Sequence, residues 1–349
     1  MDIYIIVVIV TLLIQLIPVR NNKQYIYKLI FSFLPLFLFG ALRKDFNDYL
    51  VYKTAFENLD LTRVVKHFEI GYYIFNKIMP TFNILIVVQS LFVCAAYGFF
   101  FYRYVPKDKT LFAFVFFFLA GQYTVFFMYS ALRNAMAISV LIFSIPLVER
   151  RMWKNYIVAV LLAASFHTSS LLVLPFLYFI CRDTPMNESE FIVWIVVMVV
   201  LVILPLNYIF EKADMFFTVY MDRYVSYTKK IVKEDRTIST LILTTTTVLS
   251  VCTLMFARSS EDKKTLLLSR LTLICLYANY LGALNMRLTN YLEFFYVCFL
   301  ADVMYCKKYN RFVKYVFVCL SVAYLSYAFF YVFLGSESFS YQEYHFIFE

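Results

Sequence analysis

Residues 131–170 read ALRNAMAISV LIFSIPLVER RMWKNYIVAV LLAASFHTSS. Two apolar runs, 131–148 and 155–167, flank a short loop carrying Arg150, Arg151 and Lys154. Neither run alternates as a half-buried strand does, and both are rich in Leu, Ile, Val and Ala. Runs of this kind suit a hydrocarbon core about 30 Å thick, crossed by helices that satisfy their own backbone polar groups. The loop's cations mark one side of a membrane, and Arg133 and His167 stand at the far ends of the two runs.

The same alternation continues along the whole chain. Apolar stretches occur at 3–19, 27–42, 82–102, 111–128, 131–148, 155–167, 169–181, 191–210, 239–257, 266–284, 289–305 and 313–334. The pair 155–167 and 169–181 is short for full crossings and reads as tilted or partly re-entrant. With 62% hydrophobic and only 16% charged residues, the chain is far more apolar than a globular protein, which carries about 25% charged residues. The fold class is therefore all-α: one polytopic membrane domain over 1–349 with about 12 transmembrane helices. Asp2 stands where a signal peptide carries basic residues, so the first stretch is expected to remain as an anchor.

Lys and Arg set the orientation. Six short alternate loops hold 17 basic residues, from Arg20 and Lys23 through Arg150 and Arg151 to Lys307, Lys308, Arg311 and Lys314. These loops are assigned to the cytoplasm and both termini to the outside. The other side carries two longer segments, 43–81 and 211–238, whose charges are mixed with apolar and aromatic residues at helical spacing, as in amphipathic helices lying in the interface. The seven cysteines fall in the apolar stretches or at their cytoplasmic ends, giving neither a disulfide framework nor Cys/His zinc spacing. The net charge of +9 belongs to the cytoplasmic loops and implies no nucleic-acid partner. No internal repeat of the kind many transporters show is visible.

This topology gathers Arg43, Asp45, Glu69, Arg133, His167, Arg223 and Arg287 on the outer face. Arg133 falls in the first turn of an inward-running helix, where a cation opposes the macrodipole and calls for a negative partner. Arg287 recurs just before the helix expected from Thr289, and His167 precedes the cap residues Thr168, Ser169 and Ser170. Three inward-running helices thus begin beside a basic group, at ends that attract anions. Snorkelling of these interface residues to headgroups, or their pairing with Glu293 or Glu69, is the alternative. Arg270 and Asp302, near the cytoplasmic ends of neighbouring helices, read as a structural ion pair. Tyr49, Tyr72, Tyr123 and Tyr129 are candidates for stacking on sugars. Asp45 and Asp48 have metal-like spacing without a third ligand, so no metal is assigned.

The order of these motifs resembles a known family. Arg43, Asp45 and the Tyr49/Tyr52 pair are followed by Glu69-x-Gly71-Tyr72, by Arg133-Asn134-Ala135-Met136-Ala137-Ile138-Ser139, by Ser165-Phe166-His167-Thr168-Ser169-Ser170 with Pro175, and by Arg287 to Tyr291. Over residues 40–295 the chain resembles the EpsG-like branch of the Wzy-type bacterial polysaccharide polymerases. The resemblance implies an enzyme of the cytoplasmic (inner) membrane, acting on its outer, periplasmic face. It would transfer a growing glycan from undecaprenyl pyrophosphate to the next lipid-linked repeat unit of an O-antigen, capsule or exopolysaccharide. Expected partners are that lipid-linked oligosaccharide, membrane lipid, and the chain-length regulator and flippase of the same pathway.

A lipid pyrophosphate leaving group asks for interfacial cations, and an acceptor hydroxyl asks for a base. We therefore expect an inverting glycosyltransferase without metal or other cofactor. Arg133 and Arg287 hold pyrophosphate with help from Arg43 or Arg223; Glu69 or His167 is the base; Asp45 orients the acceptor. Another polyprenyl-dependent glycosyltransferase or a glycan ligase is the nearest alternative. A flippase or exporter of lipid-linked glycan is the alternative of another class, but it calls for charges along a central path that the spans nearly lack. The topology predicts that single cysteines at Asn58 and Lys233 react with an impermeant thiol reagent in spheroplasts. Labelling at Lys264 but not at those two positions would reverse the orientation.

Overall fold

The computed structural model describes residues 2–44, 48–58, 69–120, 131–176, 184–203, 236–280, 285–305, 309–327 and 345–346. The helices in chain order are α1 (Asp2–Gln15), α2 (Asn22–Ala41), α3 (Tyr49–Glu57), α4 (Ile70–Ile78), α5 (Phe82–Tyr104), α6 (Thr110–Leu119), α7 (Leu132–Glu149) and α8 (Trp153–Phe166). After a 3₁₀ segment at Thr168–Phe176 come α9 (Glu188–Ile203), α10 (Arg236–Ser259), α11 (Lys263–Ala278), α12 (Asn285–Tyr305) and α13 (Arg311–Tyr327). A two-residue strand β1 (Arg43–Lys44) pairs antiparallel with β2 (His345–Phe346).

The protein is all-helical apart from that bridge, and every expected apolar stretch holds helical structure among the described residues. Among the described residues, four helices are long and apolar enough to cross a membrane: 22–41, 82–104, 132–149 and 241–259. Ile3–Gln15, Thr110–Leu119 and Trp153–Phe166 are shorter apolar helices. The stretch expected as a helix over 169–181 is 3₁₀ as far as Phe176. Pro175 supplies a reason, since it lacks the N–H an α-helix would use and restricts the residue before it. In the first outer segment α3 and α4 are nine-residue helices; residues 204–235, and with them most of 211–238, lie outside the described residues.

Helix ends are set by ordinary local chemistry. Asn21, Thr81 and Asp262 accept backbone N–H bonds at the starts of α2, α5 and α11. The chain divides into two compact units, residues 1–177 with 325–349, and residues 178–324. In the first, α2 packs on α1 and α5, α7 on α5 and α8, and α4 on α8. In the second, α11 packs along α10 and α12.

Helix α9 shows the membrane character of the second unit. It buries Glu190, Trp194 and Met198, one stripe at i, i+4 and i+8, and exposes Ile192, Val193, Val196, Val200 and Ile203. Such an inverted helix suits a lipid surround and not water. Glu190 is buried because Arg270, fully buried on α11, grips it through both carboxylate oxygens at 2.8 and 3.0 Å. Arg270 also donates to the Thr184 carbonyl at 2.9 Å. The expected Arg270–Asp302 pair is thereby corrected: Asp302 instead accepts from the Thr265 hydroxyl at 2.7 Å. Proximity of helix ends does not fix rotation about a helix axis, and it is rotation that decides which carboxylate meets a guanidinium.

This pair makes a stability prediction. Arg270→Leu alone leaves Glu190 buried without its cation and should cost about 3–5 kcal/mol, whereas Arg270→Leu with Glu190→Leu should recover most of the loss. Thermal unfolding in detergent distinguishes the cases. Equal destabilisation by the single and double variants would contradict the pairing.

Candidate functional site

Two residues expected on the outer face, Arg133 and His167, meet a third, Glu69, in the first unit. Glu69 is the N-cap residue of α4, yet its side chain makes no capping bond to that helix. It reaches instead to two other elements. Oε2 accepts from Arg133 Nη1 at 2.7 Å, in the first turn of α7. Oε1 stands 3.3 Å from His167 Nδ1 and accepts from the Thr168 backbone N–H at 3.1 Å and its hydroxyl at 3.2 Å. His167 is the C-cap of α8, and Thr168 opens the 3₁₀ segment. Glu69 therefore caps a segment that is not its own.

Local sequence explains how these groups meet. Leu132 and Met136, on either side of Arg133 along α7, pack with Tyr49, Tyr52, Tyr72, Phe75 and Phe82 in one apolar cluster. That cluster seats α3, α4 and α5 against the start of α7. Tyr52 meets Tyr72 edge-on at 5.7 Å, and its phenol oxygen accepts from Arg133. Ala131, which precedes α7, has no side chain able to cap it, so the N-terminal turn takes its compensation from the Glu69 carboxylate next to Arg133.

The ionisation of the cluster follows from its contacts. Burial works to raise the Glu69 pKa, but the His167 hydrogen bond, the Arg133 charge and the Thr168 N–H outweigh it and pull the value down to about 2. Burial pushes the Tyr52 phenol up, partly offset by Arg133. Asp48 precedes α3 in a left-handed conformation with φ 64°; burial raises its carboxyl against the lowering effect of Arg133. The side chains of Arg133, Glu69 and His167 remain 23%, 18% and 19% exposed, so the cluster is accessible and not sealed.

The structure thus brings together Glu69, Arg133 and His167. Arg43 is buried in β1, registered against Phe346. Arg287 lies in the first turn of α12 in the second unit, because that helix begins at Asn285 and not at Thr289 as expected; its side chain is not described. Asp45, Arg223, Tyr123 and Tyr129 lie outside the described residues. Tyr49 and Tyr72 do not present their rings for stacking: they are 6% and 1% exposed and are packed in the aromatic cluster. Sequence reading missed Tyr52 and Thr168 as partners of the charged groups, although both stood in the quoted motifs. Thr168 looked like a cap for its own segment, and its use of Glu69 is a tertiary contact.

A family model described as the EpsG family matches residues 25–346, nearly the whole chain. No curated protein and no solved structure matches it.

A Glu69 pKa of about 2 has a definite consequence for stability. A depressed carboxyl contributes stability fully above its ordinary value of 4.5 and loses it as pH falls towards about 2. The melting temperatures of wild type and Glu69→Gln should therefore stay apart from pH 7 to about pH 5 and converge below it. Convergence already between pH 7 and 6 would mean that Glu69 is not held ionised by Arg133 and His167.

Proposed function

Because the chain belongs to the EpsG family, we propose that this membrane protein is a polysaccharide polymerase that transfers a growing glycan from undecaprenyl pyrophosphate to the next lipid-linked repeat unit. In this reading about 12 helices span the cytoplasmic membrane and the Glu69 cluster faces outward, where lipid-linked units are presented. The observation that carries it is the joining of Arg133 and His167 through Glu69. A cation suited to a departing pyrophosphate and a base suited to an acceptor hydroxyl both stand against one carboxylate.

The roles divide as follows. Glu69, already accepting from Arg133 and Thr168 and held near pKa 2, is a poor proton acceptor at working pH. It orients instead: its carboxylate stands at Nδ1 of His167, and Nε2 is the nitrogen proposed to take the proton. Of the two bases that the sequence leaves open, this favours His167. The acceptor hydroxyl gives its proton to His167 Nε2 as its oxygen bonds to the anomeric carbon of the donor glycan. The bond from that carbon to the pyrophosphate oxygen breaks, and the electron pair leaves with the pyrophosphate. Attack opposite the leaving group inverts the anomeric centre. The Glu69 carboxylate stabilises the imidazolium that forms, and Arg133 stabilises the leaving charge. Asp45 orients the acceptor or an Arg. The chain-length regulator and flippase of the pathway are the proposed partners.

Purified protein with a synthetic lipid-linked repeat unit tests the proposal. Wild type should polymerise without a membrane gradient, and a requirement for one would favour transport. His167→Gln should slow turnover about 10²–10⁴-fold. Arg133→Ala should leave single units on the carrier, and Arg133→Lys should rescue poorly because Lys lacks the planar fork. Near-normal turnover in His167→Gln would remove it as the base, and full-length polymer from Arg133→Ala would make that residue merely structural.

A further inference from the structure

We propose that Gly71 is the positioning residue of this site: its missing side chain lets the first turn of α4 lie directly on the backbone of Ser165, and from that seat Glu69 reaches His167 and Thr168. A Cβ at position 71 would stand 2.2 Å from Ser165 Oγ, 2.7 Å from its carbonyl oxygen and 2.9 Å from its carbonyl carbon. Two of these three atoms are backbone, so a change of rotamer does not relieve the contact. Ser165 is also fixed within the last turn of α8, where its hydroxyl donates to the Leu162 carbonyl at 2.7 Å.

One turn further along α4, Phe75 meets Phe166 edge-on at 6.2 Å. Positions 71 and 75 share a helix face, so a close backbone approach and an aromatic contact together hold α4 on α8. On both elements the approach lies two residues from the charged group: Gly71 follows Glu69, and Ser165 precedes His167. Displacement at the approach is therefore passed to the carboxylate with little chain to absorb it. Ordinary carbon contacts of about 3.5–4.0 Å require α4 to move out by ~1 Å. The Glu69 contacts to Thr168 N and His167 Nδ1, at 3.1 and 3.3 Å, have no slack for that and would pass beyond hydrogen-bonding range. Glycine at 71 thus acts on the chemistry through Glu69 without touching substrate.

This inference rests on the polymerase reading for its rate measurements, so the experiment adds a readout that does not. The full-length protein is prepared as wild type, Gly71→Ala, Glu69→Gln and the double variant. Gly71→Ala should lower kcat on lipid-linked repeat units by about 10²-fold, the scale of a 1 Å misplacement, with KM little changed. The double variant should be no slower than Glu69→Gln alone, because the lost geometry matters only while the carboxylate is present. Independently of activity, the imidazole ¹⁵N signal of His167, one of three histidines, should move in Gly71→Ala to where Glu69→Gln puts it. If Gly71→Ala does not accumulate, Gly71→Ala with Ser165→Ala removes the 2.2 Å contact and leaves the two backbone contacts, so protein should return with the His167 signal still displaced. A wild-type His167 signal in either variant, or losses that multiply in the double variant, would overturn the proposal. Failure of wild type to polymerise, with the His167 signals as expected, would overturn the functional reading and leave the positioning role standing.

Discussion

One carboxylate ties three elements of the first unit together at their ends. Glu69 draws the start of α4, the first turn of α7 and the junction between α8 and the 3₁₀ segment onto its two oxygens. Each of those ends has an electrostatic problem of its own. Arg133 sits where the α7 macrodipole disfavours a cation, Thr168 has a backbone N–H at the opening of a short segment, and His167 closes a helix beside it. A single anion answers all three. Capping its own helix would spend it on a bond that any Ser or Asp supplies.

The second unit answers the same problem differently. Arg270 is completely buried and is met by Glu190 through two bonds and by the Thr184 carbonyl through a third. That group is sealed, whereas the Glu69 cluster keeps about a fifth of each charged side chain exposed. Exposure distinguishes the group able to meet a substrate from the one that only fixes helix packing. Within a lipid surround both kinds are costly to leave unpaired, and in both groups the partner comes from another element.

Much of the helical architecture was legible in the sequence, because apolar runs bounded by basic loops leave little choice of secondary structure. Run length was less informative. The stretch after His167 reads as apolar as its neighbours, yet with Pro175 in it the backbone takes the tighter 3₁₀ form. The site was legible as a set of residues and not as a set of contacts. Arg133 announced its need for an anion through its place in the helix, and Glu69 was one of two carboxylates considered for the basic groups at these helix starts. Spacing did not reveal that Glu69 stands between Arg133 and His167. Tyr49 and Tyr72 were read as sugar platforms because aromatic residues on an outer segment suit that role. Their burial follows from the rotation of α3 and α4 onto α5 and α7, which the sequence does not specify. Arg270 was assigned to Asp302 for the same want of rotational information, while its actual partner comes from a helix 80 positions earlier.

The central claim is that the Glu69 cluster is where the pyrophosphate of a lipid-linked substrate meets the protein. A cryo-electron microscopy map of the protein with undecaprenyl pyrophosphate in a lipid nanodisc tests it most directly. The account predicts pyrophosphate density within hydrogen-bonding distance of the Arg133 guanidinium, with His167 facing the same space and Glu69 still between them. Density for the pyrophosphate elsewhere, with Arg133 and Glu69 closed on each other and away from it, would contradict the account.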